Sequence, residues 1–520
     1  MTGKAREHIR FNSWGDYAEE EEISPQMKQR REQAKYNTHL SATEASYLSC
    51  LNCVQKLAVS KFLVARDGLQ LLQGPPGTGK THTICSLLKC LTLGRTDRHR
   101  TLVSAPSNKA TQVVLETFMA SLSPEEANRV KISLVGVEEM LPPVEAKGFS
   151  RDAFAHHFGA NMATKIQRSL TLLDEILRTP GAAVDRLKSV HQEVWHVHER
   201  LAARAPQFYS KKLAAKVKPA LDLLGSSLVF GSIGSNGMQV RGLLLEAVAI
   251  LNGGDQSEDE RDKLVLEQLN SADVIFATLS VVGRSIMARV ERVNSLVVDE
   301  VAQSPEADTV VALQMMPERC LLVGDPVQLP STMMSKAAEN AGYGRSVLER
   351  LFALNHEHIM LQEQYRMHPA IQEFPSRQFY RGLLSCGGRS GSDQLATPAW
   401  CGQAAPFLGP IAFIDVAGQE AGGRGASVYN QAEVSMVAKL LMHLREVSGI
   451  DVAKKAVVIT FYSAQVFKIR DALRAAKLGG VGVNTVDSFQ GSESDIVILS
   501  LVRANKDAGI GFVKEYRRYV

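Results

Sequence analysis

"LLQGPPGTGKTHTICSLL" (residues 71–88) runs from an apolar stretch through a glycine-rich turn into a helix-forming segment. It satisfies G-x-x-x-x-G-K-[ST] from Gly74 to Thr81, through Pro75, Pro76, Gly77, Thr78, Gly79 and Lys80. The chemistry follows from the residue types. Glycines let backbone N–H groups approach phosphate oxygens, and the new helix turns its positive end toward them. Lys80 adds a point charge, and the Thr81 hydroxyl suits Mg²⁺. A strand before the turn and a helix after it argue against a chance glycine-rich loop.

Outward from this motif, short β-branched runs alternate with helical stretches: "LQLLQ" (69–73), "TLVSA" (101–105), "KISLV" (131–135), "DVIFAT" (273–278), "SLVVDE" (295–300) and "CLLVGD" (320–325). They are nearly unalternated, as strands covered on both faces are, so the expected class is α/β with a parallel sheet. Between 137 and 270 the strand signal fades into stretches such as "MATKIQRSLTLLDEILRT", which predicts a mainly helical insertion. A second strand set is expected at "IAFID" (411–415), "AVVIT" (456–460), "VGVNTV" (481–486) and "DIVILSLV" (495–502). The division is therefore a polar lead-in over 1–45, a first domain over 46–352 carrying the insertion, and a second over 353–520. The glycine-rich stretch 384–425 reads as a long mobile loop.

Composition is that of an ordinary globular chain, 45% hydrophobic and 22% charged, long enough for two or three domains. Its formal charge of +4 is only a weak lean toward acidic partners. Seven cysteines, odd in number and partly inside apolar runs, fit a reducing compartment. Cys50 and Cys53 form a C-x-x-C, but no second pair follows at zinc spacing. No run reaches the ~18 apolar residues of a membrane span, and the first residues lack the apolar core of a signal peptide. Nucleus or cytoplasm is the expected location, with no membrane partner.

A phosphate loop needs a carboxylate site, and "SLVVDEVAQ" delivers Asp299 and Glu300 to the end of an apolar strand. Asp299 is the expected Mg²⁺ carboxylate, Glu300 the base that orients and deprotonates the attacking water. "CLLVGDPVQLPST" follows with Asp325 and Gln328, a neutral amide for the γ-phosphate. The first domain thus reads as hydrolysing a nucleoside triphosphate.

Together with "APSNKA" (105–110), "LQEQYRMHPAIQEFPSRQFY" (361–380), "VITFYSAQ" (458–465) and "NTVDSFQGSESDIVILSLVRAN" (484–505), these motifs in this order resemble those of superfamily 1 helicases. They are most similar to the group containing senataxin and the nonsense-mediated-decay RNA helicase. The resemblance implies two RecA-like domains that close on ATP and step along single-stranded RNA or DNA, usually 5′ to 3′. It implies that Gln55 reads adenine, Tyr365 stacks on the base, Arg366 reaches the γ-phosphate, Gln328 senses it, and Glu493 holds the ribose. Single-strand contacts are expected from Ser107, Asn108, Thr278, Thr332, Thr460, Thr485 and Ser488, which suit the sugar-phosphate backbone rather than base edges. Each is equally a turn or cap residue by type.

Three departures from the family pattern stand out. Phe461 occupies a usual proline position, which either alters the loop or adds a stacking face. No accessory barrel of the family's kind fits into the first 45 residues, so either that function rests on the insertion or the N-terminus is incomplete; the insertion's basic segment (Arg200, Arg204, Lys211, Lys212, Lys216, Lys218, with Phe208 and Tyr209) either grips a phosphate backbone or is a solvated helix face. Finally, "GFVKEYRRYV" (511–520) resembles the first half of the family's last motif, so the second domain is expected to be truncated before a final arginine. The competing reading is an ATP- and nucleic-acid-binding clamp with little turnover. A P-loop metabolic kinase would leave "QYRMHP" and "VDSFQG" unexplained.

Overall fold

The computed structural model describes residues 36, 39–135, 158–178, 183–204, 211–229, 233, 236–251, 258–387, 408–423, 427–505, 507 and 509–511. The seven-stranded first sheet contains β1 (Gly68–Gln73), β2 (Thr101–Ala105), β3 (Ile132–Val135), β4 (Val274–Thr278), β5 (Ser295–Val298), β6 (Arg319–Gly324) and β7 (His358–Met360) in the order β3-β4-β2-β5-β6-β1-β7. All its pairings are parallel. β7 pairs with β1, so this sheet reaches beyond residue 352, where the sequence suggested a division.

Neighbouring residues of one strand enter opposite cores, which explains the unalternated apolar runs. Leu72, Val103, Val297 and Leu321 pack with the helices Cys53–Val64, Lys80–Leu93 and Asn108–Ser121. Leu71, Leu102, Leu296 and Leu322 face the other way, toward the helices Glu258–Ser271 and Val347–Ala353. Cys85, Cys90 and Cys320 are free thiols inside these layers, each pushed up to about 12 chiefly by burial, as structural rather than reactive cysteines are.

The insertion between β3 and β4 is mainly helical in its described residues. Helices Phe158–Arg178, Ala183–Arg204, Lys211–Val229 and Asn236–Leu251 enclose their own core around Leu173, Val190, Val217 and Leu244. Of its basic segment, the described side chains are Lys216, paired with Glu246, and exposed Lys218; the other side chains lie outside the described residues.

After β7 come the short parallel pair β8 (Glu363–Gln364) and β9 (Ser385–Cys386), then the hairpin β10 (Glu420–Gly422) and β11 (Val428–Asn430). The stretch 384–425 thus contributes strands at both ends, where a loop was expected. A second parallel sheet has β12 (Ala456–Thr460) between β13 (Gly482–Thr485) and β14 (Ile496–Ser500). The strand expected at 411–415 is not formed: Ile411 and Phe413 are exposed and so gain none of the two-sided burial that strand reading assumed. Residues 512–520, and with them Arg517 and Arg518, lie outside the described residues.

Candidate active site

Three adjacent strands, β5, β6 and β1, carry the chemistry at their C-terminal ends, where open α/β sheets place ligand sites. β1 ends at Gln73, and Gly74 N donates to the Gly324 carbonyl at the end of β6 (3.0 Å). Gly74 has no room for a Cβ, which would run into the Lys80 side chain. Gly77 (φ 73°) and Gly79 (φ 77°) adopt the left-handed region that favours glycine, and Gly79 opens the helix Lys80–Leu93. The Thr78 hydroxyl closes the turn by donating to the Pro75 carbonyl (2.7 Å). Pro76 and Thr81 are half-buried along the same loop.

Lys80 Nζ donates to the Gly74 carbonyl (2.8 Å) and stands 3.5 Å from Glu300 Oε1. Burial works against its charge, but Glu300, Asp299 and Asp325 outweigh that and hold its ammonium above the usual range, with Arg366 opposing. Glu300 reaches this place from a left-handed backbone (φ 51°, ψ 35°), a strain of the kind concentrated at working sites. Its Oε2 accepts from Gln303 Nε2 (2.9 Å), which aims the carboxylate.

Asp299 is buried, and its Oδ1 accepts from Glu300 N (2.9 Å). Burial, then the Glu300 charge, push its carboxyl up to about 7. Because the folded state holds this proton above the ordinary carboxylate pKa, Asp299 favours folding at low pH and loses that contribution as pH rises from ~4 to ~7. Asp299→Asn is therefore expected to raise the melting temperature of the nucleotide-free chain at pH 8 by ~1–3 °C, an advantage that fades toward pH 4. Thermal unfolding at the two pH values checks this.

These carboxylates fit a cation in search of charge balance. No cluster of three or more His, Cys, Asp or Glu is arranged as a metal cage among the described residues. Asp299 with the Thr81 hydroxyl is the kind of donor set that Mg²⁺, which takes one or two carboxylates with substrate phosphates and water, would use.

Gln55, inside the helix Cys53–Val64, is buried with its amide spoken for: Nε2 donates to the Thr78 carbonyl (3.0 Å), and Oε1 accepts from Asn52 N (3.0 Å). Asn52 Nδ2 in turn donates to Tyr365 Oη (2.9 Å). Tyr365 N donates to the Gly77 carbonyl (2.9 Å), so the segment carrying Tyr365 and Arg366 is laid against the phosphate loop. A Cβ on Gly77 would come within 2.7 Å of Arg366 Cβ. Arg366 Nε pairs with Glu493 Oε2 at 2.6 Å, joining two residues expected to touch different parts of one nucleotide.

Sequence reasoning missed Gln364 and Tyr380, and named Asp325 without its anchoring role in this arrangement. Fully buried Gln364 accepts from Arg366 N (2.9 Å) and Met367 N (2.7 Å), shaping the turn that presents Tyr365 and Arg366. Asp325 accepts from Gln73 Nε2, Val327 N, Gln328 Nε2 (each 3.2 Å) and Tyr380 Oη (2.6 Å). Gln328 is thereby held at the end of β6. In sequence, these polar residues look like those of any loop.

The expected strand-contact residues also sit at or just after strand ends. Ser107 caps the helix begun by half-buried Asn108, and its hydroxyl accepts from Ala110 N (3.1 Å). Thr278 ends β4 with its hydroxyl 3.2 Å from that of Ser280, and Thr332 is exposed after β6. Thr460 lies in register with Thr485 and Ser500, but it is fully buried and its hydroxyl has no hydrogen-bond partner among the described residues. Thr485 and Ser488 cap one another's turn (Oγ1–Oγ 3.0 Å). Phe461 is buried with Tyr462 and Val502 and so presents no exposed stacking face.

Two family models, each described as an AAA domain, match residues 50–336 and 343–520. Helicase sen1 of Schizosaccharomyces pombe is 27% identical over 482 residues, covering 87% of this chain and 27% of its own length. Probable helicase MAGATAMA 3 of Arabidopsis thaliana is 31% identical over 490 residues (90% of this chain, 56% of that protein). A regulator of nonsense transcripts 1 homolog of Arabidopsis thaliana is 29% identical over 476 residues (90% and 31%). The chain thus spans from about a quarter to just over half the length of these relatives.

Proposed function

The chain belongs to the AAA-domain family, among the superfamily 1 helicases related to senataxin and the nonsense-mediated-decay helicase, and from that membership we propose that it is an ATP-driven helicase or translocase on single-stranded nucleic acid. The observation that carries this reading is the meeting of Lys80, at the helix start after β1, with Asp299 and Glu300, just after β5 on the other side of β6, with Arg366 lying over the same phosphate loop.

In this account the loop 74–81 cradles the ATP phosphates, and Lys80 neutralises the β- and γ-phosphate oxygens. Thr81 and Asp299 hold Mg²⁺, which when bound neutralises charge developing on the phosphates. Glu300, aimed by Gln303 and standing beside Lys80, orients the attacking water and takes its proton. Gln328 meets the γ-phosphate, Arg366 balances its charge from the opposite side, Tyr365 stacks on the adenine, and Glu493 receives the ribose hydroxyls. Gln55 reads the adenine only by exchanging one of its present partners.

Movement runs 5′ to 3′ along RNA or DNA, gripped at the sugar-phosphate backbone by Ser107, Asn108, Thr278, Thr332, Thr485 and Ser488. Thr460 joins them only after a shift that exposes it. No described helix is long and apolar enough to cross a membrane. Work on nuclear or cytoplasmic nucleic acid belongs to the same proposal.

The clamp is the second reading if Arg366 keeps its Glu493 partner when nucleotide binds. Strand displacement of a fluorescent duplex with a 5′ overhang, against one with a 3′ overhang, tests the motor. ATP-dependent displacement from the 5′ overhang supports it; binding to both without displacement favours the clamp.

A further inference from the structure

Tyr380 sits at the end of the helix Pro369–Phe379, only 2% exposed, and its hydroxyl donates to Asp325 Oδ2 at 2.6 Å. The same oxygen accepts from Gln328 Nε2, while Oδ1 takes Gln73 Nε2 and Val327 N. One buried carboxylate oxygen therefore joins the amide meant for the γ-phosphate to the last residue of the stretch 361–380 that begins with Leu361 and carries Tyr365 and Arg366.

That segment behaves as one block. Gln364 is bonded to the Arg366 and Met367 backbone and donates from Nε2 to the Met367 carbonyl (2.7 Å). Gln372 Nε2 and Ser376 Oγ both donate to the Leu384 carbonyl, and Gly387 N donates to the Gln364 carbonyl. At one end the block is tied through Tyr365, whose N donates to the Gly77 carbonyl and whose Oη accepts from Asn52 Nδ2; at the other, Tyr380 Oη donates to Asp325. The contacts at Tyr365 alone leave a point about which the block can pivot; adding the contact at Tyr380 fixes the line on which Arg366 lies.

We propose that Tyr380 is a positioning residue for ATP hydrolysis: through Asp325 it sets the register of Arg366 against Gln328, so that both meet the γ-phosphate together. This rests on the ATP-hydrolase reading above. Tyr380 touches no substrate atom, so its loss disturbs the transition state more than the binding of ATP. The bond is buried and its acceptor charged, the class in which losing one donor costs most.

The test uses the full chain with Tyr380→Phe. Expected are a drop in kcat of about 10- to 100-fold with KM for ATP little changed, and amide exchange over 363–380 faster by about fivefold in the nucleotide-free protein. Combined with Gln328→Ala, the two losses in kcat should be less than multiplicative, because both act through one carboxylate oxygen. Wild-type kcat in Tyr380→Phe, unchanged exchange, or losses that simply multiply would each overturn the proposal. If Tyr380→Phe does not fold, Asp325→Asn carries the same test, since its amide cannot accept from both donors on one oxygen and keep the other. A wild-type chain without ATPase activity defeats the hydrolase reading alone, and amide exchange then decides the anchor.

Discussion

Arg366→Ala is expected to lower kcat for ATP hydrolysis by ~10³ or more, while ATP binding weakens far less, since such an arginine acts mainly on charge that develops in the transition state. The geometry gives two reasons. Arg366 is set over the phosphate loop by Tyr365 N on Gly77, and its side chain is 40% exposed, where a phosphate can compete for it. Its present partner Glu493 is more exposed still, so the 2.6 Å pair is a solvent-screened contact that nucleotide can displace at small cost. Single-turnover hydrolysis, alongside binding of a fluorescent ATP analogue, checks both halves. Equal losses in binding and kcat would instead make Arg366 a docking residue.

Glu300→Gln should reduce hydrolysis by ~10²–10⁴ while leaving ATP and Mg²⁺ bound, because the amide keeps shape and hydrogen bonding but cannot take a proton. Gln303 Nε2 would still find an oxygen, and the left-handed turn would be unaltered. Removing the Glu300 charge also lets the Asp299 carboxyl fall toward its ordinary range, since that charge is the second cause holding it up after burial. The variant should accordingly trap ATP, measured as retained radiolabelled nucleotide. A variant that hydrolyses normally would pass the role of base to another group.

Much of this was legible in the sequence, for identifiable reasons. Most first-sheet strands were readable because they are buried on both faces, leaving apolar runs such as "TLVSA" and "SLVV" with no alternation to confuse, whereas the short, half-buried β7 gave no such run. Lys80, Asp299 and Glu300 were readable because strand ends and a glycine turn constrain where they can go. The segment "IAFID" misled because an apolar run carries strand signal whether or not a sheet lies beside it; with Phe413 exposed, nothing stabilises the strand.

Tyr380 and Gln364 were illegible for a different reason. Their roles arise from contacts across 55 residues, and around a turn whose buried amide replaces a solvent one. The strained Glu300 backbone likewise leaves no trace in residue type, since the left-handed region is disfavoured for glutamate. Thr460 shows the converse. Its position at a strand end was readable, but its burial was not, because it depends on how β13 and β14 flank it.

The central claim is that the site formed by Lys80, Glu300 and Arg366 converts ATP hydrolysis into work on a single strand. Steady-state ATPase of the purified chain, with and without single-stranded RNA or DNA, tests it most directly. The account predicts turnover that rises at least ~10-fold with the strand and vanishes in Lys80→Ala. Turnover indifferent to any strand, or surviving Lys80→Ala, would contradict it.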